Sequence, residues 1–219
     1  KLRIESVPLL FCVDPKETWE KEPTPRSQLG LPQEAFIMTT ISNHLDNRLS
    51  DEMCAAIGEI LQRCKQAVYA PMGPVKQEAR FRHKWEPYGV NDRIFFLGHT
   101  RSPSQLARSM NLYLNEFPFG SGLGLLDAMA AGCPIVSMYD PTGPQQAKYG
   151  GVYFGKEWAL SSLKRSDYVD LACTLIQNPE MYREWSHHAK LQCAQRTDTK
   201  GYVAKFETIL RHAIEHFRN

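Results

Sequence analysis

The 219-residue chain is short of several features that would settle its class at once. It has no run of five or six like charges, and its formal net charge is only +2. A nucleic-acid-binding arm and a polyanion partner are therefore not expected. No stretch approaches the 18 apolar residues that a membrane-spanning helix needs. No Asp-x-Asp pair is present as a metal ligand set, and no G-x-G-x-x-G follows the first apolar run, which argues against a dinucleotide-binding oxidoreductase. The six cysteines, Cys12, Cys54, Cys64, Cys133, Cys173 and Cys193, form no C-x-x-C pair, so neither a zinc site nor a disulfide framework is implied. Most fall on apolar faces of helix patterns. They are expected to be buried free thiols in a reducing compartment, hence a cytoplasmic protein. Internal repeats, low-complexity tracts and a signal peptide are also absent. The chain begins at Lys1, and it is expected to be a piece of something longer.

Hydrophobic residues make up 42%, enough for an ordinary core. Residues 1–33 are rich in Pro, Lys and Glu and read as an extended entry segment or linker. Residues 34–219 read as one domain in which strands and helices alternate. The expected strands are Ala35–Ile41 ("AFIMTTI"), Ala67–Ala70, Arg93–Leu97 ("RIFFL") and Leu112–Asn115, with a further buried strand at "CPIV". Ser50 reads as the N-cap of a long helix with Asp51 and Glu52 in its first turn. Helices are expected over Lys76–Trp85, Ser104–Met110, from near Gly122, from a Ser166 cap to Gln177, and from the Asn178–Pro179 pair. The last helix, Lys200–Phe217, carries an apolar stripe of Tyr202, Val203, Phe206, Ile209, Leu210, Ile214 and Phe217. Core packing is its expected use, ahead of a missing domain or a membrane surface as its partner. The alternation predicts an α/β fold: a doubly wound, Rossmann-like parallel sheet with helices on both faces. Ligands of such sheets bind at the carboxyl ends of the strands.

The segment Glu116–Val136, "EFPFGSGLGLLDAMAAGCPIV", lies at such an end. A helix N-terminus offers unpaired N–H groups and about half a positive charge, and glycines let an anion approach them. Ser121, Gly122 and Leu123 are therefore candidates for a phosphate cradle, with a turn that only packs tightly on the sheet as the alternative. Asp127, one turn further on, stands where a carboxylate can take both ribose hydroxyls; a solvated helix acid is the alternative. Arg48 lies in the polar loop before the capped helix, where a guanidinium can clamp a diphosphate or remain a surface charge. Gly98, His99 and Arg101 follow "RIFFL" at another strand end, and spacing leaves their roles open.

Taken in order, "NDRIFFLGH…SQLARSMNLYLNEFPFGSGLGLLDAMAAGCPIVSM" resembles the nucleotide-sugar domain of GT-B glycosyltransferases, over roughly Leu31 to Phe217. The "LNEFPFGSG" phrase is most similar to bacterial relatives of the O-linked N-acetylglucosamine transferases and to cytoplasmic protein N-glycosyltransferases. The resemblance implies a metal-independent transferase with a UDP-sugar as donor and no cofactor. It makes Asp127 the ribose ligand, Arg48 and Arg101 the basic diphosphate contacts, and Leu97 to His99 the base-holding segment. The acceptor, and with it the base, belongs to an N-terminal domain, so this chain alone is expected to bind nucleotide without turnover and has no assigned catalytic residue. Three departures stand out. Phe119 occupies the first acid position of the retaining E-x7-E pattern, whose second position is Asp127. Leu123 and Gly124 replace hydroxyl residues near phosphate, and Asn111 replaces a strand aspartate. A retaining enzyme that has lost its first glutamate, and an epimerase-type or non-catalytic sugar-nucleotide-binding protein, remain alternatives.

Overall fold

A computed structural model describes residues 15–195 and 199–218. Four short apolar runs form its strands: β1 (Phe36–Thr39), β2 (Ala67–Tyr69), β3 (Leu112–Leu114) and β4 (Ile135–Val136). All pair in parallel, in the order β2-β1-β3-β4. Met38 sits between Tyr69 on one side and Leu112 on the other. Every strand residue except Phe36 is buried, as in a parallel sheet covered on both faces.

The helices are α1 (Lys16–Glu20), α2 (Leu45–Arg48), α3 (Asp51–Arg63), α4 (Glu78–Trp85), α5 (Pro103–Ala107), α6 (Leu123–Ala130), α7 (Gln145–Tyr149), α8 (Arg165–Gln177), α9 (Pro179–Ala194) and α10 (Thr199–Arg218). α3 packs with α4 and α8, and α6 packs with α5 and α9. Ser50 caps α3 as its sequence implies, accepting from the Met53 amide at 3.1 Å. α3 then buries Met53, Ile57, Ile60 and Leu61, each worth about 1.5–3 kcal/mol when fully buried. Trp85 at the end of α4 is fully buried, and its indole N–H donates to the Cys54 carbonyl at 2.9 Å. Asn178 accepts from the Glu180 and Met181 amides and starts α9, as expected. The doubly wound α/β architecture is thus as the alternation implies.

Several expectations need correction. Arg93–Leu97 is not a regular strand. Ile94 bridges Tyr69, Phe95 N donates to Tyr69 O at 2.9 Å, and Leu97 N donates to Pro71 O at 3.1 Å. The segment extends the sheet beyond β2, but Pro71 has no N–H to return, so the ladder stays one-sided there. α4 starts at Glu78 rather than Lys76, because the Asp46 carboxylate takes the Lys76 and Gln77 amides. α5 starts one residue early, at Pro103, and stops at Ala107 rather than Met110. α8 begins at Arg165 with Lys164 as its N-cap, so Ser166 lies inside the first turn and donates to Asp167 instead.

The entry segment is not uniformly extended either. Its described part holds α1 and a 3₁₀ turn at Arg26–Leu29, and the Trp19 indole donates to Ala130 O at 2.9 Å. Arg26 is bonded to Ser109 O, Gln33 O, Ala35 O and Asn111 Oδ1. α10 departs furthest from expectation. Val203, Phe206, Leu210 and Ile214 are exposed, so this stripe does not join the core. The sheet's two faces are already covered by the other helices. The Phe217 side chain lies outside the described residues. Cys54, Cys64, Cys133, Cys173 and Cys193 are buried free thiols, and Cys12 lies outside the described residues. No described helix is long and apolar enough to cross a membrane.

Candidate functional site

Strand order fixes where the crevice falls. The chain runs from β1 outward to β2, then returns across β1 to β3. The direction of winding reverses between β1 and β3, and a doubly wound sheet opens a crevice there, at the carboxyl ends of the strands. The loop after β1 leads to Arg48, and the loop after β3 is the glycine-rich turn.

These two loops meet. Arg48 Nη1 donates to the Phe119 carbonyl at 2.7 Å, and Ser50 Oγ donates to the Phe117 carbonyl at 3.1 Å. Arg48 is half-buried, and its hydrogen bond ties it to the turn it was expected to face. Asn115 Oδ1 and Glu116 Oε2 both accept from the Ser121 amide, at 3.0 and 3.1 Å. The Ser121 amide is therefore engaged by the protein itself, which corrects its expected place among the free donors. The Ser121 hydroxyl instead caps α6 by accepting from Gly124 N at 3.2 Å. The Gly122 and Leu123 amides have no acceptor among the described residues and open the N-terminus of α6.

Gly124 answers to packing rather than to an anion. A Cβ there would stand 2.2 Å from the Ile41 carbonyl at the end of β1. The turn consequently divides its glycines: Gly124 lets α6 press on the sheet, and Gly122 leaves an amide open.

Asp127 lies one turn into α6, and its carboxylate takes no hydrogen bond among the described residues. Burial pushes its carboxyl up to about 7. Glu116 was not singled out from the sequence. It is 2% exposed directly beneath the turn, and burial pushes its carboxyl up to about 7 against the opposing pull of Arg48 and the Ser121 amide. Its Oε1 has no hydrogen-bond partner of good geometry. In the sequence it is a single acid after a strand, a pattern that ordinarily marks a solvated loop.

Gly98, His99 and Arg101 lie at the same end of the sheet, beyond β2. At about 4.8 Å per strand they are about 14 Å from β3. No described hydrogen bond joins them to Arg48 or to the turn; Gly98 O accepts from Gly73 N at 2.8 Å, and His99 and Arg101 are exposed. Asn111 lies at the opposite, amino end of β3, where its Oδ1 accepts from Ile37 N and Arg26 Nη2, both at 2.8 Å. It belongs to the sheet's far edge and not to the crevice. Phe119 and Leu123 stand exposed at the turn, at 49% and 57%.

A family model described as Glycosyl transferases group 1 matches residues 37–178, which spans β1 to the end of α8 and the whole crevice. The chain belongs to the group 1 glycosyltransferases. Among solved glycosyltransferase structures, it is similar to a mutant of S. aureus TarM in complex with fondaparinux, alpha-GlcNAc-glycerol and UDP, with a TM-score of 0.68 and 15% identity over 80% of this chain and 35% of that one. It is also similar to the pneumococcal O-GlcNAc transferase GtfA in complex with UDP and GlcNAc, with a TM-score of 0.66 and 18% identity over 93% of this chain and 38% of that one. Anabaena Alr3699/HepE in complex with UDP and glucose gives a TM-score of 0.69 and 16% identity over 91% of this chain and 55% of that one. These likenesses establish the GT-B glycosyltransferase fold. This group 1 glycosyltransferase chain spans about a third to just over a half of the length of those proteins. No curated protein sequence matches it.

Proposed function

We propose that the chain is the donor-binding part of a glycosyltransferase and binds a UDP-sugar across the β1–β3 crevice. The observation that carries this reading is the meeting of Arg48 and the glycine-rich turn. A guanidinium from one loop, two free amides at the start of α6 and an unpartnered carboxylate one turn below converge at the point where the sheet's winding reverses.

The chemistry follows from that arrangement. Transfer of a sugar breaks the bond between its anomeric carbon and the diphosphate oxygen, and negative charge grows on the leaving diphosphate. Fixed donors aimed at that charge stabilise it most where water is excluded. Arg48 and the Gly122 and Leu123 amides supply those donors, so the proposed transfer is metal-independent. Asp127 accepts from the ribose hydroxyls. Leu97, Gly98 and His99 hold the nucleobase further along the same end of the sheet, and the exposed Arg101 beside them adds positive charge there. The sugar acceptor and the base that deprotonates it lie on another domain.

Phe119, rather than an acid, stands at the first position of the E-x7-E pattern, and Glu116 lies beneath the turn instead of at its lip. No residue of this chain is therefore assigned to retaining chemistry.

Calorimetry with UDP, GDP, ADP and NAD tests the reading. UDP is expected to bind, and to bind more tightly than NAD. If no nucleoside diphosphate binds, the reading is wrong. With a UDP-sugar and no added acceptor domain, the chain is expected to show no sugar transfer.

A further inference from the structure

At the opposite end of the sheet the structure contains a cavity of about 440 Å³. Four parts of the chain enclose it: the entry segment from Pro23 to Arg26, the link from α5 to β3, the turn from α6 to β4, and one face of α9. Three cations line it, Arg26, Arg108 and Lys190, and no acid does among the described residues.

Their hydrogen bonds leave that charge uncompensated. Arg26 uses four of its five N–H groups, all on neutral acceptors. Arg108 donates through Nη1 to the Thr18 and Lys21 carbonyls, which are also neutral. Lys190 has no hydrogen-bond or ion-pair partner among the described residues. The α5 and α6 C-termini point this way, but each helix end carries only about half a negative charge. Two half charges do not balance three full ones, and a concave wall focuses the excess.

The cations are also held in place. Arg26 and Arg108 are fixed by the carbonyls they bind. Lys190 lies on the α9 face that also carries Tyr182 and Ser186, and Ser186 Oγ donates to Gly132 O at 2.7 Å. Gly132 has φ 77°, and a Cβ there would stand 2.4 Å from Lys190 Cε. The bare glycine is what lets the lysine stem lie across the α6–β4 turn beside the cavity.

We infer that this cavity binds a compact polyanion, a small molecule bearing phosphate or pyrophosphate, at the amino ends of the strands. Lys190 and the unused N–H groups of Arg108 would hold its oxygens, and Arg26 would contribute charge from below. The ligand would join α9 to the entry segment. This site is separate from the donor crevice, and the inference does not rest on the donor reading.

The test uses the full chain carrying Arg48→Ala, which removes the cation of the glycine-rich turn. Inorganic pyrophosphate is titrated while the amide resonances of Ser109, Gly132 and Ser186 are followed, with potassium chloride at matched ionic strength as the control. Saturable shifts at these amides are expected, with affinity weakened at least fivefold by adding Lys190→Met, which keeps the stem and removes the charge. Lys190 is exposed, so the variant is expected to fold. Absence of saturable shifts, the same shifts with chloride, or an affinity unchanged by Lys190→Met would each overturn the site.

Discussion

At the carboxyl ends of the strands the protein buries Glu116 within the field of Arg48 and leaves Asp127 half-buried one turn into α6. At the amino ends it gathers Arg26, Arg108 and Lys190, with no acid among the described residues of the lining. A parallel sheet sets up this contrast, because the helix after each strand starts at one face and ends at the other. Helix N-termini bring partial positive charge to the carboxyl face, and C-termini bring partial negative charge to the amino face. The acids and the gathered cations each sit where the backbone field favours them. The two faces differ in their remaining capacity. The crevice keeps open amides and carboxylate oxygens, a mixed set that suits a nucleotide with both phosphates and hydroxyls. The rear cavity keeps three cationic side chains and no carboxylate among its described lining residues, a set that suits an anion.

Adding one methyl group to each face should separate them most clearly. Gly124→Ala drives a Cβ onto the Ile41 carbonyl, a backbone atom that cannot yield without moving β1. A loss of about 2–3 kcal/mol is expected from such overpacking, seen as a fall of about 4–12 °C in melting temperature. Gly132→Ala meets only the far end of the Lys190 side chain, though at positive φ, and is expected to cost about 1 kcal/mol. Equal losses would mean that the turn is not pressed on the sheet as described.

Removing charge from the crevice comes next. Asp127→Ala is expected to weaken UDP by about 1.5–3 kcal/mol and to leave inorganic pyrophosphate unchanged, since the carboxylate is assigned to ribose. Arg48→Ala is expected to weaken both ligands at the crevice by a similar amount and to reduce the salt dependence of UDP binding. Competition calorimetry distinguishes these patterns, and equal loss of UDP and pyrophosphate in Asp127→Ala would remove the ribose assignment.

The acids also give the crevice a pH signature that the rear cavity lacks. Burial raises Glu116 and Asp127 from ordinary carboxyl values to about 7 in the folded chain. Between about 4 and 7 the folded state therefore holds protons that the unfolded state releases. Their contribution to stability is full below pH 4 and is lost as pH rises through 7. Urea midpoints across that range should fall with pH from this source, and Glu116→Gln should flatten the slope. A slope unchanged in the variant would show that folding does not raise the Glu116 carboxyl. The smallest effect is expected from Lys190→Met without ligand, within about 0.5 kcal/mol of the parent, as for an exposed side chain.

Much of this was readable before folding. β1 and β3 announce themselves as apolar runs too short for helices, and Ser50 and Asn178 carry their caps in their identities. Arg48, the glycines and Asp127 stand out as candidates because each residue type has a stated use near a phosphate or a ribose, and folding brings Arg48 to the glycine-rich turn. What escaped the sequence depends on contacts distant along the chain. Glu116 reads as a solvated loop acid until the turn folds over it. The entry segment reads as a linker until Trp19 reaches Ala130 and Arg26 reaches Asn111. The α10 stripe reads as core until the sheet is seen to be fully covered without it. Asp46 shifts the start of α4 from thirty residues away.

The bond from Arg48 to the Phe119 carbonyl bears on the timing of order. An arginine side chain has about 2 kcal/mol of rotamer freedom to lose. Here part of that freedom is already gone before any ligand arrives, because folding itself fixes the guanidinium against the turn. A nucleotide bound as proposed would meet a cation with less search left to make. Differences in affinity among donors should then arise from the base and the sugar, the parts of the ligand that meet less restrained regions of the crevice.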